Sequence, residues 1–292
     1  MRTYPIVLCA AAAVCLTATA HAAPFKAPPT SPQLEAKREQ LGDSVLKRPG
    51  VQMPDNKAEL DGALARKDWP TLSAAVMGVA SQDAATKMAN WERYQVYRGG
   101  GYNTIFMYVH TMSTMAASYE RAAQANPALA QTAQGLRMGA LSQLIYLHAV
   151  IAVDGERCGD HTAPIAQRDR ILAVSVPLIQ AARTLDQDAR RTALLAALEQ
   201  ETLIAPVRDY DQDLCRGGMD EIAAALEKNG DKATRSTSRP GVPGTTIEVQ
   251  PDAAWTPALS DPASWEARRQ KVRETLASRL APLAGLAAAP AR

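Results

Sequence analysis

The feature that most constrains this chain is an apolar stretch from Gly135 to Pro164, which contains the charged loop formed by residues 154–161. One face of the stretch, at helical spacing, consists of Leu141, Leu144, Ile145, His148 and Ile151. Leu147 and Val150 lie off that face, and a helix that is apolar on most sides must be covered on most sides. The stretch therefore predicts a buried helix at the centre of a helical domain.

The composition favours helices over strands throughout the chain. Phe occurs 2 times and Tyr 8 times, and Val and Ile seldom alternate with polar residues as they do in half-buried strands. Ala and Leu are abundant, and both are strong helix formers. We expect an all-α protein, either a multi-helix bundle or an array of helical hairpins, with a long Pro/Gly/Ser-rich loop before the last helix.

The N-terminus has the three parts of a secretory signal. Arg2 is followed by an apolar run from Ile6 to Leu16 and then by small residues up to Ala22. The apolar run is shorter than the about 18 residues that span a bilayer. We expect a signal peptide over 1–22, cleavage near Ala22, no transmembrane segment in the mature chain, and a periplasmic or secreted protein.

Two cysteines remain after that cleavage, Cys158 and Cys215. An exported protein resides where disulfides persist, and neither cysteine belongs to a CxxC motif. We therefore predict a structural disulfide between them. In the chain-entropy model, closing this loop destabilises the unfolded chain by about 4 kcal/mol.

Charge and motifs narrow the possible functions. The formal net charge is +2, so no strong field attracts nucleic acid or an anionic membrane. No P-loop, dinucleotide-binding, GxSxG or HExxH motif occurs in the chain. The sequence thus assigns no catalytic, cofactor-binding or metal-binding residue and no cofactor, and it favours a protein without enzymatic activity.

Composition also divides the chain into parts. Residues 23–230 form the predicted main helical domain, and 231–261 is rich in Thr, Ser, Pro and Gly, which predicts a mobile linker or surface loop with a short strand over Thr245 to Val249. Residues 262–283 form an amphipathic C-terminal helix that either docks on the domain or binds a membrane surface or partner. Residues 284–292 are expected to fray.

One local pattern is similar to the helix-turn-helix unit of tetratricopeptide-type repeats. It consists of Leu60, Ala63, Asp68-Trp69, Leu72 and Ala75. Such arrays repeat with a period of about 34 residues, and here the pattern occurs once. The resemblance implies a helical hairpin and carries no binding residues.

Two acidic runs accompany the cysteines. The first contains Asp154, Glu156, Asp160 and His161 around Cys158, and the second contains Asp209, Asp211 and Asp213 before Cys215. A disulfide would bring the runs together. A weak metal site or an envelope enzyme that uses the first run with His148 or His161 is the alternative, but EF-hand spacing and further zinc ligands are missing. A loop that caps the central helix and positions Cys158 is favoured.

Three other features have both a functional and a structural interpretation. His110 and His148 lie among apolar neighbours on predicted helices, which favours core histidines over a general base or a ligand pair. Gly99-Gly100-Gly101 precedes a helix and could present N–H groups to an anion, but a flexible turn between helices is favoured. The sequence as a whole predicts an exported helical protein that binds a partner, such as another envelope protein, or supports an envelope structure.

Overall fold

The computed structural model describes residues 30–208, 210–237, 246–252 and 254–287. Within these ranges the chain forms ten α-helices and one antiparallel pair of strands, which confirms the all-α class. The helices are α1 (Pro32–Leu46), α2 (Lys57–Ala65), α3 (Trp69–Met77), α4 (Gln82–Tyr97), α5 (Tyr102–Ala125), α6 (Ala130–Asp154), α7 (Thr162–Ala182), α8 (Gln187–Ile204), α9 (Met219–Asn229) and α10 (Pro262–Leu280). The strands are β1 (Thr234–Thr237) and β2 (Thr246–Val249). The expected signal peptide over 1–22 lies outside the described residues.

Helix α6 is the centre of the fold. From Ala140 to Asp154 its side chains are buried on nearly every side, and it packs against α5, α7, α8 and α10. The segment Pro127–Arg157 is long and apolar enough to cross a membrane by length and composition alone, but 67% of its most apolar window is buried inside the fold. The hydrophobic effect that places this helix in the core comes from neighbouring helices that remove its surface from water.

A second, smaller cluster of apolar side chains supports the hairpin formed by α2 and α3. Leu60, Leu72 and Trp91 are fully or almost fully buried there, together with Met107 of α5. The Asp68 carboxylate accepts a hydrogen bond from the Thr71 N–H at the start of α3, as an N-cap does. The helical hairpin implied by the repeat-like pattern is therefore present.

Helix α10 docks on the domain. Trp265, Val272 and Leu276 are buried, and the helix contacts α6 and α8. The preceding segment is tied to the domain, because the Ser260 N–H donates to the Arg157 carbonyl over 2.8 Å. The interpretation in which the apolar stripe of this helix packs on its own domain is the one that the structure adopts.

The start of the segment that was expected to fray, at Ala284 and Gly285, contacts the domain. Ala284 is buried, and Arg190 Nη1 donates hydrogen bonds to the carbonyls of Ala284 and Gly285 over 3.2 and 2.8 Å. These backbone contacts with α8 could not be read from the Ala-rich composition of the tail. Residues 288–292 lie outside the described residues.

The predicted disulfide joins Cys158 to Cys215, which confirms the expected pair. Their Cα atoms lie 5.2 Å apart and both side chains are buried. The bond connects the loop after α6 to the turn before α9, so it fixes two connections at one end of the central helix.

Candidate functional site

The carboxylates of the first acidic run contact groups of the protein itself. Asp154 is buried and pairs with Arg208 over 2.7 Å and with Arg269 over 2.9 Å. Glu156 pairs with Arg268 over 3.1 Å. Burial by itself would raise the pKa of the Asp154 carboxyl, but the arginines around it hold that pKa well below its usual range. This run stabilises the contact between α6 and α10.

The last two members of the run lie at the start of α7. Asp160 Oδ1 accepts from the Thr162 N–H over 2.8 Å, and its Oδ2 accepts from the Asp220 N–H over 2.9 Å. His161 is exposed. No group of three or more potential metal ligands exists among the described residues. The alternative of a metal site or an enzyme in this loop gains no support from these contacts.

The second acidic run faces other elements. Asp209 lies outside the described residues, and Asp211 Oδ2 accepts from the Tyr102 N–H, over 2.8 Å, at the first residue of α5. Asp213 accepts from the Trp69 indole N–H over 3.1 Å and lies 3.6 Å from the Lys67 ammonium. The disulfide connects the two runs along the chain, but their carboxylates bind different helices rather than one shared cation.

The triglycine turn fits closely against this second run. Gly99 has φ +92, and a Cβ there would collide with the Val207 carbonyl, while a Cβ at Gly101 would collide with the Asp211 carboxylate. The N-terminus of α5 does attract an anion, as a helix N-terminus can, but the anion is the Asp211 carboxylate of the chain itself. The turn is therefore a packed contact, and not only a flexible connection between helices.

A cavity of about 440 Å³ opens beside this contact. We call it the charged cavity. Its lining residues include three acids, three bases and two aromatic rings: Glu35, Asp61, Asp211, Arg38, Lys67, Arg98, Trp69 and Tyr210. Its volume lies within the range of small-molecule sites, and its charges are balanced.

Asp211 is the charged group of the cavity that the protein compensates least. Burial and the adjacent Asp213 carboxylate raise the pKa of Asp211 to about 6. Lys67 and the backbone N–H groups of Tyr102 and Asp213, which donate hydrogen bonds to Asp211, lower this pKa but only partly offset the rise. By contrast, Asp61 accepts hydrogen bonds from the Trp91 and Gln95 side chains, over 2.9 and 2.7 Å. A perturbed carboxyl that lines a cavity is a common mark of a functional site.

Lys67 reaches the cavity from an unfavourable backbone conformation. Its φ is +54, and it is the sole non-glycine residue with positive φ among the described residues. The Lys67 N–H bonds the Leu64 carbonyl and the Asp68 N–H bonds the Ala63 carbonyl, which is the helix-ending motif that glycine usually completes. Lysine in this conformation costs about 1 kcal/mol relative to glycine. Its ammonium lies 3.6 Å from the Asp213 carboxylate.

Of the two histidines that the sequence predicted to lie in the core, one is buried and the other is exposed. His148 is 5% exposed, its Nε2 has no hydrogen-bond partner in the part of the chain described, and burial followed by the charge of Arg168 lowers its pKa to about 4. The prediction for His110 is wrong, since this residue is exposed and lines a different cavity. The buried face of α5 is instead the one that carries Ile105, Val109 and Ala116. Neither histidine lines the charged cavity.

Most of the charged cavity was missed by sequence reasoning. Glu35 and Asp61 belong to no motif and lie on separate helices, α1 and α2, and Lys67 lies in the turn that follows α2. The signals that did point here were the triglycine turn and the second acidic run. No protein-family model, curated protein or solved structure matches this chain. The argument for a function therefore depends on this geometry.

Proposed function

We propose that this chain is an exported, non-enzymatic binding protein that holds a small zwitterionic ligand in the charged cavity. The ligand class is that of free amino acids and short peptides, which carry a protonated amine and a carboxylate. The observation that carries the proposal is the position of Asp211, a carboxyl with a raised pKa on the wall of a cavity that is lined by three acids and three bases.

The amine of the ligand is assigned to Asp211. A positive charge within about 4–6 Å favours the ionised form of a carboxyl, and Asp211 gains most from one because burial is poorly offset in its present surroundings. The rings of Trp69 and Tyr210 line the same cavity, and aromatic faces attract cations. The amine would thus meet both a carboxylate and aromatic surface.

The carboxylate of the ligand is assigned to Lys67. Its ammonium is 3.6 Å from Asp213 and half exposed, so it can turn toward a second anion without breaking a buried pair. A lysine at a position that favours glycine is consistent with a binding role, because stability alone would favour glycine there.

Export is supported by two features that differ in kind. The first 22 residues have the pattern of a signal peptide, and a buried disulfide suits an oxidising compartment. Cell fractionation followed by N-terminal sequencing tests this part. A mature chain that begins at Ala23 in the exported fraction is the expected result, and an intact Met1 terminus in the cytosol would contradict it.

Binding is tested with free amino acids and dipeptides, first by thermal shift and then by calorimetry. The expected result is a rise in melting temperature with members of this class and saturable heat. At about pH 5 only about one tenth of Asp211 is ionised, so the affinity should be about tenfold lower than at about pH 8. Because a bound ligand stabilises the folded chain by mass action, the rise in melting temperature should also be smaller at about pH 5 than at about pH 8.

Three variants make the test specific. Asp211→Asn should abolish binding and its pH dependence, and Lys67→Gly should weaken binding while the free protein melts at the same or a higher temperature. Asp188→Asn, an exposed change in the first turn of α8, is the matched control and should bind as the parent does. Unaltered binding by Asp211→Asn, or no binding of any member of the class, would contradict the proposal.

A second candidate is association with another envelope protein through α7. Ile165, Leu172 and Val176 lie on one face of this helix and remain 48%, 38% and 43% exposed. A pull-down from envelope extract with the parent and with Leu172→Glu tests it. A partner that is retained equally by both proteins would exclude this surface.

A further inference from the structure

A second cavity lies on the other side of the α2–α3 hairpin and takes no part in the function proposed above. It has a volume of about 400 Å³ and runs between the end of α3, the turn before α4 and the second half of α5. We call it the apolar groove. One wall is formed by Val76, Met77 and Val79, and Met115 contributes to the floor. Met77 is 67% exposed, so a large flexible apolar side chain faces water at the rim.

The opposite wall is a single face of α5. His110, Thr114, Ser118 and Arg121 follow one another at intervals of four, four and three residues, which places them on one side of a helix. The face is therefore hydroxylated along its middle and basic at its end. At 1.5 Å per residue it extends for about 16 Å.

The charge of the groove has one sign. Its lining residues include no Asp or Glu, and its ionisable members are His110 and Arg121. The acids next to it along the chain are already paired, Asp83 with Lys87 and Glu120 with Arg137. Within the described residues Arg121 has no ion pair, so a positive group stands at one end of an elongated apolar surface.

From this complementarity we propose that the groove binds a single-chain anionic amphiphile, of which a fatty acid is the simplest example. The acyl chain would lie against Met77, whose exposed apolar surface it removes from water, with the nearly buried Val76 and Met115 beneath it. The carboxylate would pair with Arg121, whose planar guanidinium can hold both carboxylate oxygens. The hydroxyl groups of Thr114 and Ser118 lie along the path between these ends.

Calorimetry of the full mature chain with dodecanoate tests the proposal, and dodecyltrimethylammonium serves as a ligand with the same chain and the opposite charge. Dodecanoate should bind at one site below its micelle-forming concentration, and the cationic amphiphile should bind at least tenfold more weakly. No saturable binding of dodecanoate, or equal binding of the two amphiphiles, would overturn the proposal.

Two variants locate the site. Arg121→Gln removes the charge and should weaken dodecanoate binding about tenfold, as the loss of a charged hydrogen-bonding partner does. Thr114→Trp fills the groove from an exposed position and should abolish binding of dodecanoate. Arg183→Gln, at the exposed end of α7, is the matched control and should bind as the parent does. Circular dichroism checks that each variant is folded.

Three results would each reject this site. They are parental affinity in Thr114→Trp, an equal loss of affinity in Arg121→Gln and Arg183→Gln, and a dimer of the chain that Thr114→Trp converts to monomer. The last result would mean that a second copy of the chain occupies the groove. Amino-acid binding in the charged cavity does not enter these measurements, so each proposal can fail without the other.

Discussion

Glu92 offers a sharp test, because it is a buried glutamate with no cationic partner among the residues that the structure describes. It is 0% exposed on α4, and Thr111 donates one hydrogen bond to its Oε1 over 2.9 Å. Its Oε2 has no hydrogen-bond partner within the described ranges. Burial raises the pKa of Glu92 from 4.5 to about 8, and the Thr111 hydrogen bond only partly opposes this. In the folded protein the carboxyl is therefore mostly neutral at pH 7.

The direction of the pH effect follows from proton binding. The folded chain holds this proton up to about pH 8, whereas the unfolded chain releases it near pH 4.5, so stability falls as the pH rises between these values. For this pair of pKa values the loss is about 3 kcal/mol at pH 7 and about 5 kcal/mol at pH 9. The free energy of unfolding that is lost between pH 7 and pH 9 is therefore about 1.4 kcal/mol.

Glu92→Gln should remove the loss of stability between pH 7 and pH 9. Gln resembles the neutral carboxyl in shape and can still accept from Thr111, so the variant should match the parent near pH 7 within about 1 kcal/mol. At pH 9 it should gain about 1.4 kcal/mol relative to the parent, which corresponds to about 3–5 °C in melting temperature for a chain of this size. Urea and thermal unfolding, followed by circular dichroism between pH 6 and pH 9, measure the difference.

Glu201→Gln is the matched control, since Glu201 is an equally buried glutamate with partners. It pairs with Arg208 over 2.7 Å and with Arg273 over 3.3 Å, so its neutralisation leaves buried cations and should cost about 3–5 kcal/mol at pH 7. If Glu92→Gln loses as much stability as the parent between pH 7 and pH 9, Glu92 is not a neutral buried carboxyl. A large loss at pH 7 would lead to the same conclusion.

Three further predictions concern stability. Reduction of the Cys158–Cys215 bond should lower the free energy of unfolding by about 4 kcal/mol in the chain-entropy model, and denaturant titration with and without reductant measures this loss. If non-reducing peptide mapping finds two free thiols, the pair is rejected. His148→Gln should cost stability at neutral pH. It should also remove the loss of stability that the parent shows as the pH falls from 6.5 toward 4, because the buried imidazole has a lowered pKa. Melting curves across that pH range measure both effects. Asp154→Asn should cost about 3–5 kcal/mol, because it removes one of the two carboxylates that pair with the buried Arg208 and the carboxylate that pairs with Arg269. It should also flatten the acid limb of the stability profile, since the pKa of Asp154 is depressed and its contribution is lost as pH falls; urea unfolding at neutral and acid pH measures both effects.

Local sequence determined the helices and their ends. Asp68 and Asp261 cap α3 and α10 as side chains of their type do, and each precedes a helix with proline in its first turn. The buried centre was readable for the same reason, because the apolar periodicity of α6 is a property of adjacent residues. The disulfide was readable because only two cysteines follow the expected signal segment over 1–22, so no other pairing was available after residue 22.

Only the tertiary structure decided which groups meet. The exposure of His110 depends on which face of α5 the neighbouring helices cover, and its own apolar neighbours do not reveal that. Asp211 reaches the N-terminus of α5 across 109 positions of sequence, and Asp154 meets Arg269 across 115. Such contacts result from the packing of distant helices, and the short-range periodicity from which helices are predicted contains no information about them.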